Sequence, residues 1–505
     1  MSNWKLLNFN NIKNECPIKY LRGAGGKGVV RAVHGRRVCK ETVFIVSRGR
    51  TPQDIFRHSF LIMFIILTLP INAQQNSEAS RRDIIQYGTE TEIANLIQSL
   101  RTEKADYFDD ELITLTKTSK NMKILTGVFG FFGEREKSGL EERAIEAIEE
   151  RDDEANETVL GALDYLGRVK SSDSVSVMMD LIETEERRYL NIAFRSIGKA
   201  ASADKKTADE TAEFLVDFYN NREPGNDNRS VIIAAIGDTG SSTGVELLVE
   251  IASNTDERIP LRIAAISAIS RIADAAGLDA ILSCVTTNDP NVRSTAIASL
   301  GPFSGDAVDN AILDGFRDSY YRTRIASAQA SRDRKLAAAV PYLKFRAERD
   351  DVPNVRDEAI RSLGAIANDE AISVLEVLFT ERKNSDRVRI LAADMLSKNT
   401  SGKYFSKLIV ELDEAKSKNQ NNLYNGFLKV VGESAAESNK AEIEDIARRF
   451  MKNGALMEKL YALDMALNNK LNGLSEDIIT LSKDKNESLS RKAKRTAESL
   501  GINID

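Results

Sequence analysis

Histidine, tryptophan and cysteine are almost missing from this sequence. Its 505 residues hold two histidines, His34 and His58, one tryptophan, Trp4, and three cysteines, Cys16, Cys39 and Cys284. All of these except Cys284 fall in the first 73 residues. Beyond that point, serine–histidine triads, cysteine–histidine pairs and histidine-bound zinc are excluded by composition. A single thiol also excludes an internal disulfide, and Cys284, inside the apolar run Ala280-Ile-Leu-Ser-Cys-Val285, is expected to be buried and inert. Aromatics make up only 6% and prolines number nine, against 42% apolar residues. That balance speaks against a sheet protein and for an all-α chain with a large core of small side chains.

Charge is unevenly spread. The first 73 residues carry twelve Lys and Arg against Glu15, Glu41 and Asp54, a net of +9, so the remainder carries −15 of the overall −6. Within this leader lies Phe60-Leu-Ile-Met-Phe-Ile-Ile-Leu-Thr-Leu69, then Pro70, Ala73 and Gln74. Ten apolar residues are too few for a spanning helix, which needs about 20. With Arg48, Arg50 and Arg57 upstream, the run reads as a secretory signal segment over 57–73, cut after Ala73. Its distance from Met1 suggests a translation start near Val46, so that 1–56 is a basic leader, disordered or not made. A retained cytosolic arm with an uncleaved anchor is the alternative. Gly23-Ala-Gly-Gly-Lys-Gly28 matches a dinucleotide-binding pattern in letters only, with no strand before it, helix after it or acidic partner expected to complete it.

From Gln74 onward the signal is periodicity. Apolar residues at helical spacing over Arg82–Gly88, Glu92–Leu100, Asp110–Leu115, Met122–Phe132 and Leu140–Arg151 mark an irregular opening region, 74–157. Val128-Phe-Gly-Phe-Phe132 is read there as core, with an apolar docking patch as the alternative. Regular units fill 158–455, with a divergent cap over 456–505. First helices are expected to close near Gly167, Gly198, Gly237, Ser270, Gly301, Arg332, Gly364, Ser397 and Gly432, the glycines serving as left-handed caps. Pro260, Pro290 and Pro353 stand at helix starts, where a missing N–H does no harm. A fixed period of this length is a helical-hairpin repeat.

The segments Asp289-Pro-Asn-Val-Arg-Ser-Thr-Ala-Ile-Ala-Ser-Leu-Gly301 and Val352-Pro-Asn-Val-Arg-Asp-Glu-Ala-Ile-Arg-Ser-Leu-Gly364 resemble bacterial HEAT repeats of the phycobilisome-lyase type. The resemblance implies an α-solenoid of about twelve hairpins, a curved superhelix with second helices on its concave side. It implies no single activity.

Six arginines stand in register: Arg229, Arg262, Arg293, Arg324, Arg356 and Arg389. They are expected to form a structural ladder, each guanidinium held near the preceding turn by an acid such as Asp289 or Asp386. A stripe reading a polyanion is the alternative, opposed by the acidic balance. One stretch runs the other way, rich in cations and aromatics: Phe316, Arg317, Tyr320, Tyr321, Arg322, Tyr342, Lys344, Phe345 and Arg346 form the candidate partner-binding patch. The acidic run from Glu141 to Glu154 lacks calcium-loop spacing.

No catalytic residue, metal ligand or cofactor is expected. The reading is a non-enzymatic bacterial scaffold, exported to the periplasm, binding a protein or peptide through its solenoid surface. It expects no nucleic acid, and membrane association only through the signal segment or peripherally. The alternatives are a cytosolic or nucleic-acid-associated adaptor that keeps its basic arm, and a lyase or other enzyme on the same repeats.

Overall fold

The computed structural model describes the backbone of 6–7, 18–22, 28–34 and 37–38, and then residues 78–504 apart from 223 and 436–438. Two compact units divide the chain, Met1–Gln86 and Tyr87–Asp505. In the first, strands β1 (Leu6–Leu7), β2 (Ile18–Arg22), β3 (Gly28–His34) and β4 (Arg37–Val38) pair antiparallel in sequence order. The valines at 29, 30 and 33 suit β3 to a strand. Arg22 pairs with Gly28 across β2 and β3, so the glycine-rich segment is followed by a strand and not by the helix a phosphate cradle requires. The proposed signal segment, 57–73, lies outside the described residues.

The second unit is helical throughout. Counting α1 (Glu78–Tyr87), which straddles the boundary, there are 26 α-helices among the described residues. They run α2 (Glu90–Glu103), α3 (Asp109–Thr116), α4 (Met122–Glu134), α5 (Glu141–Glu149), α6 (Asn156–Arg168), α7 (Val175–Glu183), α8 (Arg187–Ala201) and α9 (Lys205–Asn221). Then come α10 (Asn226–Thr239), α11 (Val245–Ser253), α12 (Ile259–Ile272), α13 (Leu278–Cys284), α14 (Pro290–Ala298), α15 (Asp306–Gly315), α16 (Tyr321–Asp333), α17 (Val340–Arg349) and α18 (Pro353–Ile366). The series ends with α19 (Asp369–Thr380), α20 (Asp386–Asn399), α21 (Phe405–Ser417), α22 (Asn421–Glu433), α23 (Lys440–Asn453), α24 (Leu456–Asn468), α25 (Ser475–Ser482) and α26 (Glu487–Leu500). Starts are set by local chemistry. Thr89 and Glu92 form a reciprocal capping box on α2, Asp289 accepts from the N–H groups of Asn291 and Val292, and Pro290 and Pro353 open α14 and α18.

From α3 onward, each odd-numbered helix packs on the even-numbered helix that follows it, giving twelve hairpins from α3–α4 to α25–α26. The solenoid expected from the repeats is therefore present. Every even-numbered helix also packs on the next even one, from α2 to α26, whereas the odd-numbered helices touch their counterparts less. The arginine-bearing helices, taken above as the first of each pair, thus form the tighter row.

Glycine makes the tight row possible, but not by capping. Gly167, Gly198 and Gly237 lie inside α6, α8 and α10. A Cβ at Gly198 would stand 2.1 Å from the Ala235 carbonyl oxygen, and one at Gly167 or Gly237 would meet the Cα of Ser196 or Ala268 at 2.8 or 2.7 Å. The left-handed turn comes three residues later, at Lys170, Gly240, Ala273, Lys335 and Ala367. Gly167, Gly198 and Gly237 are therefore close-approach residues, whereas a Cβ at Gly301 would meet nothing within 4 Å, and the turn itself tolerates Lys and Ala. Buried apolar side chains fill the space between the rows, including Val128, Phe129, Phe131 and Phe132, which settles that run as core.

Candidate binding surface

The arginine ladder is a structural device. Arg262, Arg324 and Arg389 are buried, at 4, 5 and 4% exposure. Each guanidinium turns back to the carbonyls of the turn before its own helix, because those end-of-helix oxygens have no partner within their own helix. Arg262 Nε donates to Ala252 O at 3.0 Å, Arg389 Nε to Phe379 O at 2.9 Å, and Arg293 Nη1 to Thr287 O and Asn288 O, both at 2.9 Å. Arg229 reaches Pro224 O at 3.2 Å, and Arg356 bonds Asp350 O.

The acids that complete the ladder are not the expected Asp289 and Asp386. Asp289 is spent on capping α14. Instead the partner comes from the following hairpin: Asp318 for Arg293, Asp350 for Arg324 and Glu411 for Arg389. Burial pushes the Asp350 carboxyl up, but Arg324, the Val352 N–H and Arg346 outweigh it and hold the group below the ordinary carboxylate range. Asp318 is lowered in the same way, burial being outweighed by Arg293 and the Tyr320 N–H. These guanidiniums are engaged and shielded, so they form no stripe for a polyanion.

The cation-and-aromatic patch divides. Phe316 is 1% exposed and stacks beneath Tyr342, with ring centroids 5.6 Å apart, so it belongs to the core. Arg317 is exposed but tied to Asp314 at 2.6 Å and to the Tyr342 hydroxyl at 3.1 Å. Arg346 bonds buried Asp350 at 3.2 Å and flanks Phe345, which is 49% exposed, and Lys344 is exposed beside it. Tyr320, Tyr321 and Arg322 sit at the start of α16, where the Tyr320 hydroxyl donates to Asn291 Oδ1 at 3.1 Å. The nine residues thus include one core side chain, a group on α17 and a group at the start of α16.

The sequence reading did not single out the outward face of the even row. In α10 and α20 the positions one, two, five and nine after the ladder arginine are not buried. Across α6, α8 and α10, a groove of about 220 Å³ has Ile192, Val231 and Ala234 among its lining. Arg195 and Lys199 stand on its wall, exposed, and make no ion pair among the described residues. Asp238 lines the same groove, where burial pushes its carboxyl up against the opposing pull of Arg271 and Lys199. A second groove, of about 610 Å³, crosses α18, α20 and α22, with Ile390, Leu391 and Val430 among its lining. Its charges are paired, Arg387 with Asp357 and Lys398 with Asp394 at 2.8 Å.

Both grooves combine apolar residues with charged ones in their lining. Among the described residues, no three His, Cys, Asp or Glu side chains gather as a metal site would need, and no helix is long and apolar enough to cross a membrane. Cys284 is buried, with Sγ 3.5 Å from the Ala252 carbonyl oxygen.

The model of the spirochaete HEAT repeat protein family matches residues 85–496. This chain belongs to that family. No curated protein matches this HEAT repeat chain. Among solved structures it is similar to Kap121p, at 11% identity and a TM-score of 0.41, covering 90% of this chain. It spans only 57% of the length of Kap121p, which has also been solved bound to Ste12p and to Nup53p. It is similar too to YibA of E. coli, at 17% identity and a TM-score of 0.34, covering 52% of this chain and 96% of that one. The CpcE–CpcF phycocyanin lyase complex of Nostoc sp. matches at 18% identity and a TM-score of 0.27, covering 51% and 94%. Likenesses this distant carry nothing about activity.

Proposed function

We propose that this HEAT repeat protein is a non-enzymatic, exported scaffold that holds a protein or peptide partner along the outward face of its even-numbered helices. The observation that carries the reading is the unbroken row from α2 to α26, whose face bears the two grooves just described. A preformed surface of this kind orders a bound segment at little cost to itself. Export rests on the apolar run and flanking arginines of the leader, and the loss of every histidine on cleavage after Ala73 fits a chain without acid–base chemistry.

Two measurements on native cells test this. Mass spectrometry of the chain recovered from the envelope fraction is expected to give Gln74 as its first residue. Photo-crosslinkers at Ile192 and Leu391, on the even row, are expected to trap a polypeptide that one at Val410, on α21, does not. A cytosolic chain beginning at Met1 would refute export and turn attention to the +9 leader as a binding arm. Equal labelling from Val410 would remove the even row as the site.

A further inference from the structure

The core positions of the even helices repeat a simple pattern, interrupted at single positions by Thr158 in α6 and Asn228 in α10 and at all three positions in one helix. In α12 they are Leu261, Ala265 and Ile269, in α14 Val292, Ala296 and Leu300 (just past its end), in α18 Val355, Ala359 and Leu363, and in α20 Val388, Ala392 and Leu396, all buried. In α16 the same positions hold Thr323, Ser327 and Ser331, at 1, 0 and 0% exposure. The hydroxyls of Ser327 and Ser331 have no hydrogen-bond partner, and that of Thr323 is turned toward Asp318 without reaching bonding geometry.

Three further observations fall at the same place. The contiguous apolar cluster of the C-terminal half begins at Phe316 and runs to Ala497. Leu300, Val308 and Ile312, although buried, are outside it. The helix before the break, α14, has only 9 residues, whereas α12 and α16 have 14 and 13. The apolar side chains that α16 buries are the small Ala326, Ala328 and Ala330, and the larger ties around it are polar: Arg293 to Asp318, Arg324 to Asp350, Arg334 to Asp309, and Ser362 Oγ to Ala328 O at 2.8 Å.

We propose that α16 is a built-in seam, about which the two halves of the helical unit bend and at which the stack opens first. Apolar burial is the non-directional part of cohesion, and where it is interrupted the helices are held by directional hydrogen bonds and ion pairs, which are lost together once their geometry is broken. Helices with few apolar contacts form the low-stability units of a fold. The two even-row grooves lie on opposite sides of α16, so bending there changes the distance between them.

The test is hydrogen exchange by mass spectrometry on the full chain, with X-ray scattering on the same samples. Amides of Tyr321–Asp333 are expected to exchange at least about tenfold faster than those of Pro353–Ile366, the factor that corresponds to desolvating one orphan hydroxyl. The double variant Ser327→Ala, Ser331→Leu installs the side chains of the neighbouring repeats. It is expected to slow α16 to the rate of α18 and to narrow the spread of molecular dimensions. Should that variant not fold, Ser327→Ala alone removes one hydroxyl without adding volume. Exchange in α16 no faster than in α18 would overturn the seam, as would a variant that exchanges as fast as the parent. Slowed exchange with unchanged scattering would overturn the bending.

Discussion

Arg324 and Asp350 face each other through two parallel N–H···O bonds of 2.8 Å each, across a site where the aspartate side chain is 0% exposed. The arginine belongs to α16 and the aspartate to the turn before α18, so the pair joins one hairpin to the next. Fork-to-fork geometry of this kind requires a planar guanidinium. Asp350→Ala should lower stability by about 3–5 kcal/mol, because it leaves buried Arg324 with only the exposed Asp351 carboxylate as its partner. Arg324→Lys should also destabilise, since an ammonium cannot make both bonds to Asp350, as read by urea unfolding midpoints.

Asp350 and Asp318 also give the stability a pH dependence. Both carboxyls lie below the ordinary range when folded, so the unfolded chain binds their protons first as pH falls. Their stabilisation is complete above the ordinary carboxylate value, about 3.9, and is lost as pH drops through the folded values. Thermal melts from pH 7 to pH 3 should show the midpoint falling in the acid part of that range. Asp350→Asn should flatten part of the fall.

Close helix approach predicts a contrast between glycines. Gly198→Ala forces a Cβ to within 2.1 Å of the Ala235 carbonyl oxygen, so α8 and α10 must separate, at about 1–3 kcal/mol. Gly301→Ala meets nothing within 4 Å and should stay within about 0.5 kcal/mol of the parent. Equal effects at the two positions would show that row spacing is not what the helical glycines protect.

Cys284 should be silent to thiol reagents in the folded chain. Its sulfur is 1% exposed and enclosed by α12 and the end of α11. Modification should appear only in denaturant, at the rate of an ordinary free thiol.

Partner recovery should separate the two surfaces. Charge reversal at Arg195 and Lys199, which make no ion pair among the described residues, is expected to weaken capture at least tenfold with little change in stability. Reversal at Arg317 and Arg322 should leave capture unchanged. Arg346→Glu should instead destabilise the fold, since it places a carboxylate beside buried Asp350. Loss of capture in a stable Arg317→Glu, Arg322→Glu variant would restore the patch on α15–α17 as the binding site.

Period and composition were enough to determine the all-α class, the repeat and the helix starts, because helical spacing, proline at N1 and the in-register arginines are local features that tertiary packing did not override. The burial of Cys284 and of Val128–Phe132 was likewise legible from apolar runs. Tertiary structure decided the rest. Gly167, Gly198 and Gly237 sit where the next even helix comes closest, which depends on a neighbour about 30 residues away and not on backbone conformation. The ladder's acids come from the following hairpin because Arg293, Arg324 and Arg389 reach forward as well as back. Phe316 left the candidate patch for the core because Tyr342, on another helix, covers it. The even-row grooves were invisible in the sequence for the same reason: each is assembled from three helices, and no one of them carries it alone.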